Sequence, residues 1–262
     1  GPLWFFSGDL SGAGNSARRD AIFAGGDPVT VTRGLCSLIE LYAMQDATGA
    51  SSTGAFDLTP SGTPTATNRL LIVRDQSGGN RNLRATTSPP TWSSSTFNGR
   101  GGAVFSRASS QFLQVESSPI TAAPIQVYAL AKTSDAANAQ VVLWVGDKDV
   151  ADDYWNLSFR GDQANDPTRW SAVDTTEGSA NVDGYVVDQQ HLLYGIDVAS
   201  NDRSHSRDSS AAGTDTTDLS PDNIDRIAVG GNRSSSPGDY LDGQVALLLM
   251  LDVASTADRT RI

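Results

Sequence analysis

The sequence offers few residues that could act as paired catalytic carboxylates. Its only glutamates are Glu40, Glu116 and Glu177, and no two of them lie near one another. Glycoside hydrolysis needs two carboxyl groups on one face, because one acts as an acid and the other as a nucleophile or base. Asp152 and Asp153 are adjacent, so on a strand their side chains point to opposite faces. The carboxylates therefore predict a protein that is not an enzyme.

Histidine and cysteine are equally poorly placed for catalysis or for zinc binding. His191 begins an apolar run and is typical of a strand edge, whereas His205 lies in the polar segment NDRSHSRD, which predicts a solvated loop. No Gly-x-Ser-x-Gly elbow accompanies either histidine. Cys36 lies in an apolar stretch, where we expect a buried and inert thiol. The three residues are too far apart in sequence to form a zinc pattern.

Aspartate-rich loops provide a candidate calcium site. Carboxylate and amide oxygens are the ligands that Ca²⁺ prefers, and such residues cluster in DKDVADD (147–153), GDQANDP (161–167) and SPDNID (220–225). None of these loops has EF-hand spacing, and aspartate is also common in turns for backbone reasons. We name Asp147, Asp149 and Asp152 as the candidate ligands, with turn-forming aspartates as the alternative. No other cofactor is predicted.

Aromatic residues near these loops provide a candidate carbohydrate site. Sugars stack their apolar faces on exposed rings, while carboxylates and amides bind their hydroxyls. Trp155, Trp170 and Tyr240 are the candidate ligand-binding residues, and Tyr154 lies beside the first of them. The alternative is that strand tryptophans pack in the core, which is the interpretation we favour for Trp144 within VVLWVG.

The charge balance argues against two classes of partner. Nineteen Lys and Arg residues face 30 Asp and Glu residues, for a formal net charge of −11. Nucleic-acid binding needs basic residues to neutralise phosphates, and an anionic membrane surface also attracts basic segments. The sequence has no run of about 18 apolar residues, which a transmembrane helix requires, and no basic-then-apolar signal peptide. We expect neither nucleic acid nor membrane as a partner.

Short strand-like runs separated by turn residues follow from residue 70 onward. Several runs alternate apolar and polar residues as half-buried strands do, whereas VALLLML (245–251) is continuously apolar and suits a strand buried on both faces. Many short strands at this spacing predict an all-β antiparallel sandwich or jelly roll. The main runs are LLIV (70–73), GAVF (102–105), FLQV (112–115), IQVYALAK (125–132), AQVVLWVG (139–146), YWNLSFRG (154–161), TRWSAVD (168–174), HLLYGIDV (191–198), RIAVGGN (226–232) and QVALLLMLDV (244–253).

The two ends of the chain differ from this strand-rich region. Residues 1–34 predict a Gly-rich extended arm with Trp4, Phe5 and Phe6 near its start, and such an arm is expected to order by packing on its own domain or on another subunit. LCSLIELYAM (35–44) fits a helix or a strand, and residues 45–68 read as a long loop. STADRTRI (255–262) predicts a short capped helix. We therefore divide the chain into an arm, 1–34, and one domain, 35–262.

Several segments resemble the laminin-G-like, concanavalin-A-like jelly-roll superfamily. In the segment 225–262, Tyr240, Gly243 and Val245 match the pattern of the superfamily, whereas Ala246 stands where an acidic residue is common. The segments are IVRDQSGGNRNL (72–83), GRGGAVFSRASSQFLQV (99–115), HLLYGIDVASNDRSHSRDSSAAG (191–213) and DRIAVGGNRSSSPGDYLDGQVALLLMLDVASTADRTRI (225–262). The resemblance implies a concanavalin-A-like jelly roll, and calcium is often held by rim loops in this superfamily. Similar stand-alone domains are frequent among bacteriophage virion proteins and bacterial surface proteins.

These observations give one main functional hypothesis and two alternatives. The main hypothesis is a non-enzymatic virion structural or decoration protein at the particle surface. Its arm would contact other virion proteins or sister subunits, and its jelly roll would aid adhesion to host-surface glycans. The first alternative is an extracellular carbohydrate-binding module of a secreted or cell-surface bacterial protein. The second is a polysaccharide-degrading enzyme, which the missing paired glutamates disfavour.

Overall fold

The computed structural model describes residues 38–43, 56–59, 69–73, 75, 81–85, 88–97 and 100–251. These residues form seventeen strands and one short 3-10 turn at Arg107–Ser109. The strands are β1 (Leu38–Ala43), β2 (Phe56–Thr59), β3 (Arg69–Val73), β4 (Leu83–Arg84), β5 (Thr91–Phe97), β6 (Arg100–Phe105), β7 (Leu113–Val115), β8 (Ile125–Thr133), β9 (Ala139–Gly146), β10 (Asp153–Arg160), β11 (Thr168–Asp174), β12 (Thr176–Val182), β13 (His191–Ala199), β14 (Asp202–Arg207), β15 (Gly213–Asp215), β16 (Arg226–Val229) and β17 (Gly243–Leu251).

The strands pair antiparallel into two layers. The layer that we call the front sheet has the order β2-β3-β4-β7-β16-β9-β10-β11-β12. The back sheet has the order β5-β6-β17-β8-β13-β14-β15, and β1 pairs with the second half of β17. One residue pair, Arg69 with Thr91, joins the two at an edge. The predicted all-β antiparallel sandwich is confirmed.

The core lies between the two sheets because their strands alternate apolar and polar side chains. In β8 the inward residues Ile125, Val127 and Ala129 are fully buried. They share one apolar cluster with Trp155 and Leu157 of the front sheet. Since successive side chains on a strand point to opposite faces, the residues between them face outward and define the two outer surfaces.

Most strand-like runs coincide with strands, including all of AQVVLWVG and TRWSAVD. Within the ambiguous segment 35–44, Leu38–Ala43 is a strand. Two details of the prediction were wrong. The supposed loop 45–68 contains β2, and β17 is not buried on both faces, since Leu247 and Leu249 are only half-buried.

The arm at 1–34, with Trp4, Phe5 and Phe6, and the helix expected at 255–262 lie outside the described residues, as does Cys36. Those expectations stay predictions, and so does the division into an arm and a domain. No helix in the described part of the chain is long and apolar enough to cross a bilayer.

Candidate functional site

Trp155 and Trp170 cannot act as sugar platforms, because both side chains are completely buried. Trp155 on β10 and Trp170 on β11 point into the core. Their indole N–H groups donate to the two carboxylate oxygens of Asp197, at 2.7 Å and 3.0 Å. The prediction that they bind a ligand is therefore wrong: alternation along each strand turns them toward the other sheet. Trp144 is also fully buried, as expected, but it lies in a separate small cluster with Val141 and Ala228.

The carboxylate of Asp197 is the centre of a polar group inside the sandwich. Arg203, opposite Asp197 in the register of β13 and β14, approaches it to 3.0 Å and also pairs with Asp215. Burial raises the pKa of Asp197, while Arg203 and the two indoles act in the opposite direction. A buried charge is retained only where it is paired and hydrogen-bonded, and this carboxylate meets both conditions. The group is structural and does not face solvent.

The opposite faces of the same strands carry a different set of side chains. Because Trp155, Leu157 and Phe159 point inward, Asn156 and Ser158 of β10 point outward. The register places Asn156 between Trp144 of β9 and Ser171 of β11, and Ser158 next to Arg169 of β11. On β12, Asn181 lies opposite Arg169 and Glu177 lies opposite Val173, so both also point outward. We call this surface of β9–β12 the outer polar face.

Three buried polar atoms of this face have no hydrogen-bond partner within the described part of the chain. They are the indole Nε1 of Trp144, the amide Oδ1 of Asn156 and the hydroxyl of Ser158. Trp144 is 0% exposed, Asn156 8% and Ser158 2%. Leaving such a group unsatisfied costs about 1–3 kcal/mol, so each one calls for an explanation. All three atoms are closed off from solvent, so a ligand on this face would meet the more exposed side chains around them.

Arg169 lies on the outer polar face and forms a hydrogen-bond network with neighbouring side chains. Its Nε donates to Asn181 at 2.9 Å, its Nη1 to Glu177 at 2.6 Å, and its Nη2 to Gln163. The hydroxyl of Ser171 donates to the same oxygen of Glu177 at 3.0 Å. These bonds hold the guanidinium in one position, although its charge partner Glu177 keeps 41% of its side chain exposed.

A half-buried tyrosine and several charged groups border the three unpartnered atoms. Tyr154 lies on the same side of β10 as Asn156, with its ring 5.9 Å from that of Trp144. Burial, followed by the nearby carboxylates of Glu177, Asp239 and Asp152, raises the pKa of Tyr154 to about 12. The phenol is therefore neutral at ordinary pH and can donate and accept hydrogen bonds.

Tyr240, the third predicted ligand-binding residue, is half-buried and packs on Phe112, with ring centroids 6.4 Å apart. The guanidinium of Arg233 lies 4.0 Å from the centre of that Phe112 ring. Tyr240 follows Asp239, whose carbonyl accepts a hydrogen bond from the backbone of Val141 on β9. Tyr240 thus follows a residue that borders β9, packs on Phe112 and keeps part of its surface open.

The candidate calcium ligands come together only in part. Asp147 and Asp149 lie close enough to share an ion, but the third carboxylate is that of Asp225 and not that of Asp152. The ammonium of Lys148 already contacts Asp149 at 2.9 Å and Asp225 at 2.5 Å. These hydrogen bonds raise the pKa of Lys148 above its usual value. A cation is therefore supplied by the chain itself at this position.

Asp153 and Asp222 form a close pair of aspartates, of the kind that could take part in acid–base catalysis. Asp153 Oδ1 accepts a hydrogen bond from the backbone N–H of Asp222 at 2.8 Å. Burial, together with the neighbouring Asp222 and Asp174 carboxylates, raises the pKa of Asp153 to about 7. Asp153 precedes Tyr154 on β10, so the two side chains point to opposite faces. The titrating carboxyl is thus turned away from the outer polar face.

The sequence interpretation of the histidines is corrected at one position. His205 is not in a solvated loop but on β14, fully buried. Its Nδ1 donates to the carbonyl of Tyr194 at 2.7 Å, and its Nε2 lies 2.8 Å from the hydroxyl of Thr168. His191 begins β13, as expected of a strand-edge residue, and contacts Asp208.

The sequence alone did not identify the outer polar face, because its residues are types that are common on protein surfaces. Asn156, Ser158 and Arg169 become neighbours only through the cross-strand register of β10, β11 and β12. The available signal was the alternation in YWNLSFR, where each large apolar residue is followed by a polar one. That alternation already separates an inward face from an outward one.

Comparisons with known proteins support the fold. No protein-family model and no curated protein matches the sequence. Among solved structures, domain 4 of AbnA, an extracellular GH43 arabinanase from Geobacillus stearothermophilus solved with arabinotriose, is similar with a TM-score of 0.54 at 15% identity. The match covers 86% of this chain and 97% of that domain.

Two further structures show weaker likeness. The CBM40 of the Ruminococcus gnavus IT-sialidase, bound to α2,3-sialyllactose, has a TM-score of 0.43 at 12% identity and covers 57% of this chain and 96% of its own. A variant of the NanB sialidase from Streptococcus pneumoniae has a TM-score of 0.46 at 12% identity, and the match covers 64% of this chain and 28% of the enzyme. The sandwich fold of this chain is thus shared with the arabinanase domain.

Proposed function

We propose that this protein is a non-catalytic carbohydrate-binding module, and that glycan binds on the outer polar face. The observation that carries the proposal is the half-buried ring of Tyr154 on this face, close to the partly exposed carboxylate of Glu177. Sugars stack their apolar faces on such rings, and carboxylates accept hydrogen bonds from their hydroxyls. The similarity to the arabinanase domain that was solved with arabinotriose supports the same class of ligand.

The non-catalytic part of the proposal is supported by how the carboxylates are used. Glu177 is held by Arg169 and Ser171, and Glu116 by Arg226 and Gln114. The raised pKa of Asp153 belongs to a side chain on the other side of β10. A module of this kind acts outside the cell, where polysaccharides are met. The virion role and the arm's contact with sister subunits depend on residues 1–34, so they stay predictions.

Substitution of Tyr154 by Ala tests the site. We expect Tyr154→Ala to weaken glycan binding by about three- to tenfold, because a sugar loses its aromatic contact. The measurement is isothermal titration calorimetry against the best glycan found on a panel of plant, bacterial and animal polysaccharides. The melting temperature of Tyr154→Ala is measured beside it, because this ring also packs against that of Trp144 at 5.9 Å.

The matched control is Tyr128→Ala, which removes a half-buried ring from the outer side of β8 in the back sheet, where it packs 4.6 Å from Tyr194. It should lower the melting temperature by loss of packing but leave glycan affinity unaltered. A panel on which no glycan binds, or a Tyr154→Ala variant that loses stability but not affinity, would contradict the proposal. Release of reducing ends from a bound polysaccharide would contradict its non-catalytic part.

A further inference from the structure

We infer that the outer polar face selects neutral glycans and rejects those that carry carboxylate groups. This inference rests on the proposed function and names the ligand class of the same site. It comes from the arrangement of charges around Asn156 and Ser158. The two guanidiniums of the face are already engaged by the chain, while its carboxylates remain partly open to solvent.

The first guanidinium, that of Arg169, donates from all three of its nitrogens. The acceptors are Asn181, Glu177 and Gln163. Its side chain is only 7% exposed. A carboxylate on a ligand binds arginine best through two parallel N–H donors, and here no nitrogen of the fork is without an acceptor. Binding an acidic sugar at Arg169 would first require breaking this network.

The second guanidinium, that of Arg160, is held in a bidentate pair. Its Nε and Nη2 donate to the two oxygens of Asp162 at 2.8 Å and 2.7 Å. The pairing raises the pKa of Arg160 and lowers that of Asp162. The geometry that a ligand carboxylate would use is therefore filled by a carboxylate of the protein itself, two residues along the chain.

The other charges around the face are mainly carboxylates, and the one further guanidinium that acts on Asp239, that of Arg107, is engaged by the carbonyl of Ala139 and by Asp135. Besides Asp162, the carboxylates of Glu177, Asp239 and Asp152 lie near enough to raise the pKa of Tyr154. Two guanidiniums thus face four carboxylates, and three of these, Glu177, Asp239 and Asp152, are in exposed residues. The whole chain, these groups included, carries a formal charge of −11. An anionic ligand would enter a negative field, whereas a neutral sugar meets only hydrogen-bonding groups.

The experiment compares neutral and carboxylated ligands of matched backbone on the full chain. The probes are lactose against sialyllactose, and methyl-esterified polygalacturonate against the free acid form, measured by calorimetry and by affinity electrophoresis. We expect the neutral members to bind at least about tenfold more tightly at low salt, a factor that like-charge repulsion readily supplies. The gap should narrow as salt rises, because exposed charges are screened.

Variants locate the origin of the selectivity. Glu177→Gln and Asp162→Asn each remove one negative charge while keeping the size of the side chain, and each should raise the ratio of acidic to neutral affinity by about tenfold. Asp218→Asn removes an exposed charge on the loop after β15 and should leave that ratio unchanged. A salt-independent ratio would also speak against the charge argument.

The outcomes for the two proposals are distinguishable. If sialyllactose or polygalacturonate binds as tightly as its neutral counterpart, the selectivity inference is overturned and the carbohydrate-binding proposal stands. If no probe binds and the wider polysaccharide panel is also negative, both are overturned. If neutral probes bind but Tyr154→Ala has no effect, glycan binds elsewhere and this face is not the selector.

Discussion

The carboxylate of Asp197 ties together strands from both sheets. It receives the indole N–H groups of Trp155 and Trp170 from the front sheet and the guanidinium of Arg203 from the back sheet. Each of these four side chains is at most 1% exposed. The tryptophans that the sequence assigned to a ligand thus have a structural role, because their polar atoms are satisfied inside the protein.

Removing the carboxylate of Asp197 should strongly destabilise the fold. Asp197→Ala leaves the Arg203 guanidinium buried without its main partner, and breaking a buried pair in this way typically costs about 3–5 kcal/mol. The free energy of unfolding is measured by urea denaturation with fluorescence detection. The control, Asp218→Ala, removes an exposed aspartate and should change stability by less than about 0.5 kcal/mol. Equal effects of the two variants would disprove the structural role.

His205 should make the protein less stable in acid. Burial, with a smaller contribution from Arg207 against a hydrogen bond to Tyr194, lowers the pKa of His205 to about 4. The unfolded chain protonates this side chain near pH 6.5, so between these values the unfolded state binds more protons. The stabilisation is therefore complete above about pH 6.5 and is lost as the pH falls through about 4.

The difference between wild type and His205→Asn isolates this effect from the other titrating groups. Asn retains a donor for the Tyr194 carbonyl but does not titrate. We expect the wild type to lose up to about 3 kcal/mol more than the variant between pH 6.5 and 4, from the size of the shift. Urea denaturation at a series of pH values gives both curves. Parallel curves would show that His205 titrates normally in the folded state.

At the scale of the strand, β14 shows why a polar segment was not recognised as buried. In DRSHSR the inward residues are Arg203, His205 and Arg207, which are 0%, 0% and 8% exposed. Each has its own partners: Arg207, for example, donates to the carbonyls of Val182 and Asp183. Polarity usually indicates exposure, but a partner from another strand reverses that expectation.

The loop between β9 and β10 carries a prediction about metal binding. The ammonium of Lys148 already occupies the space between Asp149 and Asp225. We therefore expect Ca²⁺ at about 1 mM, a concentration that fills weak sites, to leave the melting temperature of the wild type unchanged. Lys148→Ala removes the ammonium from a group of three carboxylates, so Ca²⁺ should raise the melting temperature of this variant. Differential scanning calorimetry with and without EDTA makes the measurement.

The chain contains one other lysine, Lys132 on β8, which gives a matched control. Lys132→Ala should show no response to Ca²⁺. A wild type that is stabilised by Ca²⁺ and loses that response in Asp149→Asn would instead support the calcium site that the loop sequence suggested.

At the scale of the whole molecule, the inner and outer faces of the sheets have different roles. Their inner faces hold the apolar cluster and the Asp197 group, whereas the front sheet turns Asn156, Ser158 and Arg169 outward. The high negative charge then acts on anything that approaches the outer polar face. Selection of neutral glycans would thus combine local hydrogen bonding with the field of the entire chain.

The sequence by itself determined the fold class, because alternation of apolar and polar residues in runs such as YWNLSFRG and TRWSAVD fixes which residues point to one side. It also indicated that Asp147 and Asp149 lie together, since neighbours in a short loop need no distant partner. Clusters made within one segment are within reach of such reasoning.

Only the tertiary structure decided which side was the core and which residues became neighbours. It buried Trp155 and Trp170 against Asp197, replaced Asp152 by Asp225, and set Asn156 beside Trp144. Cross-strand register and the pairing of distant segments depend on how whole sheets pack, and strand periodicity alone does not specify that. The candidate site depends on that packing, so no single sequence motif could predict it.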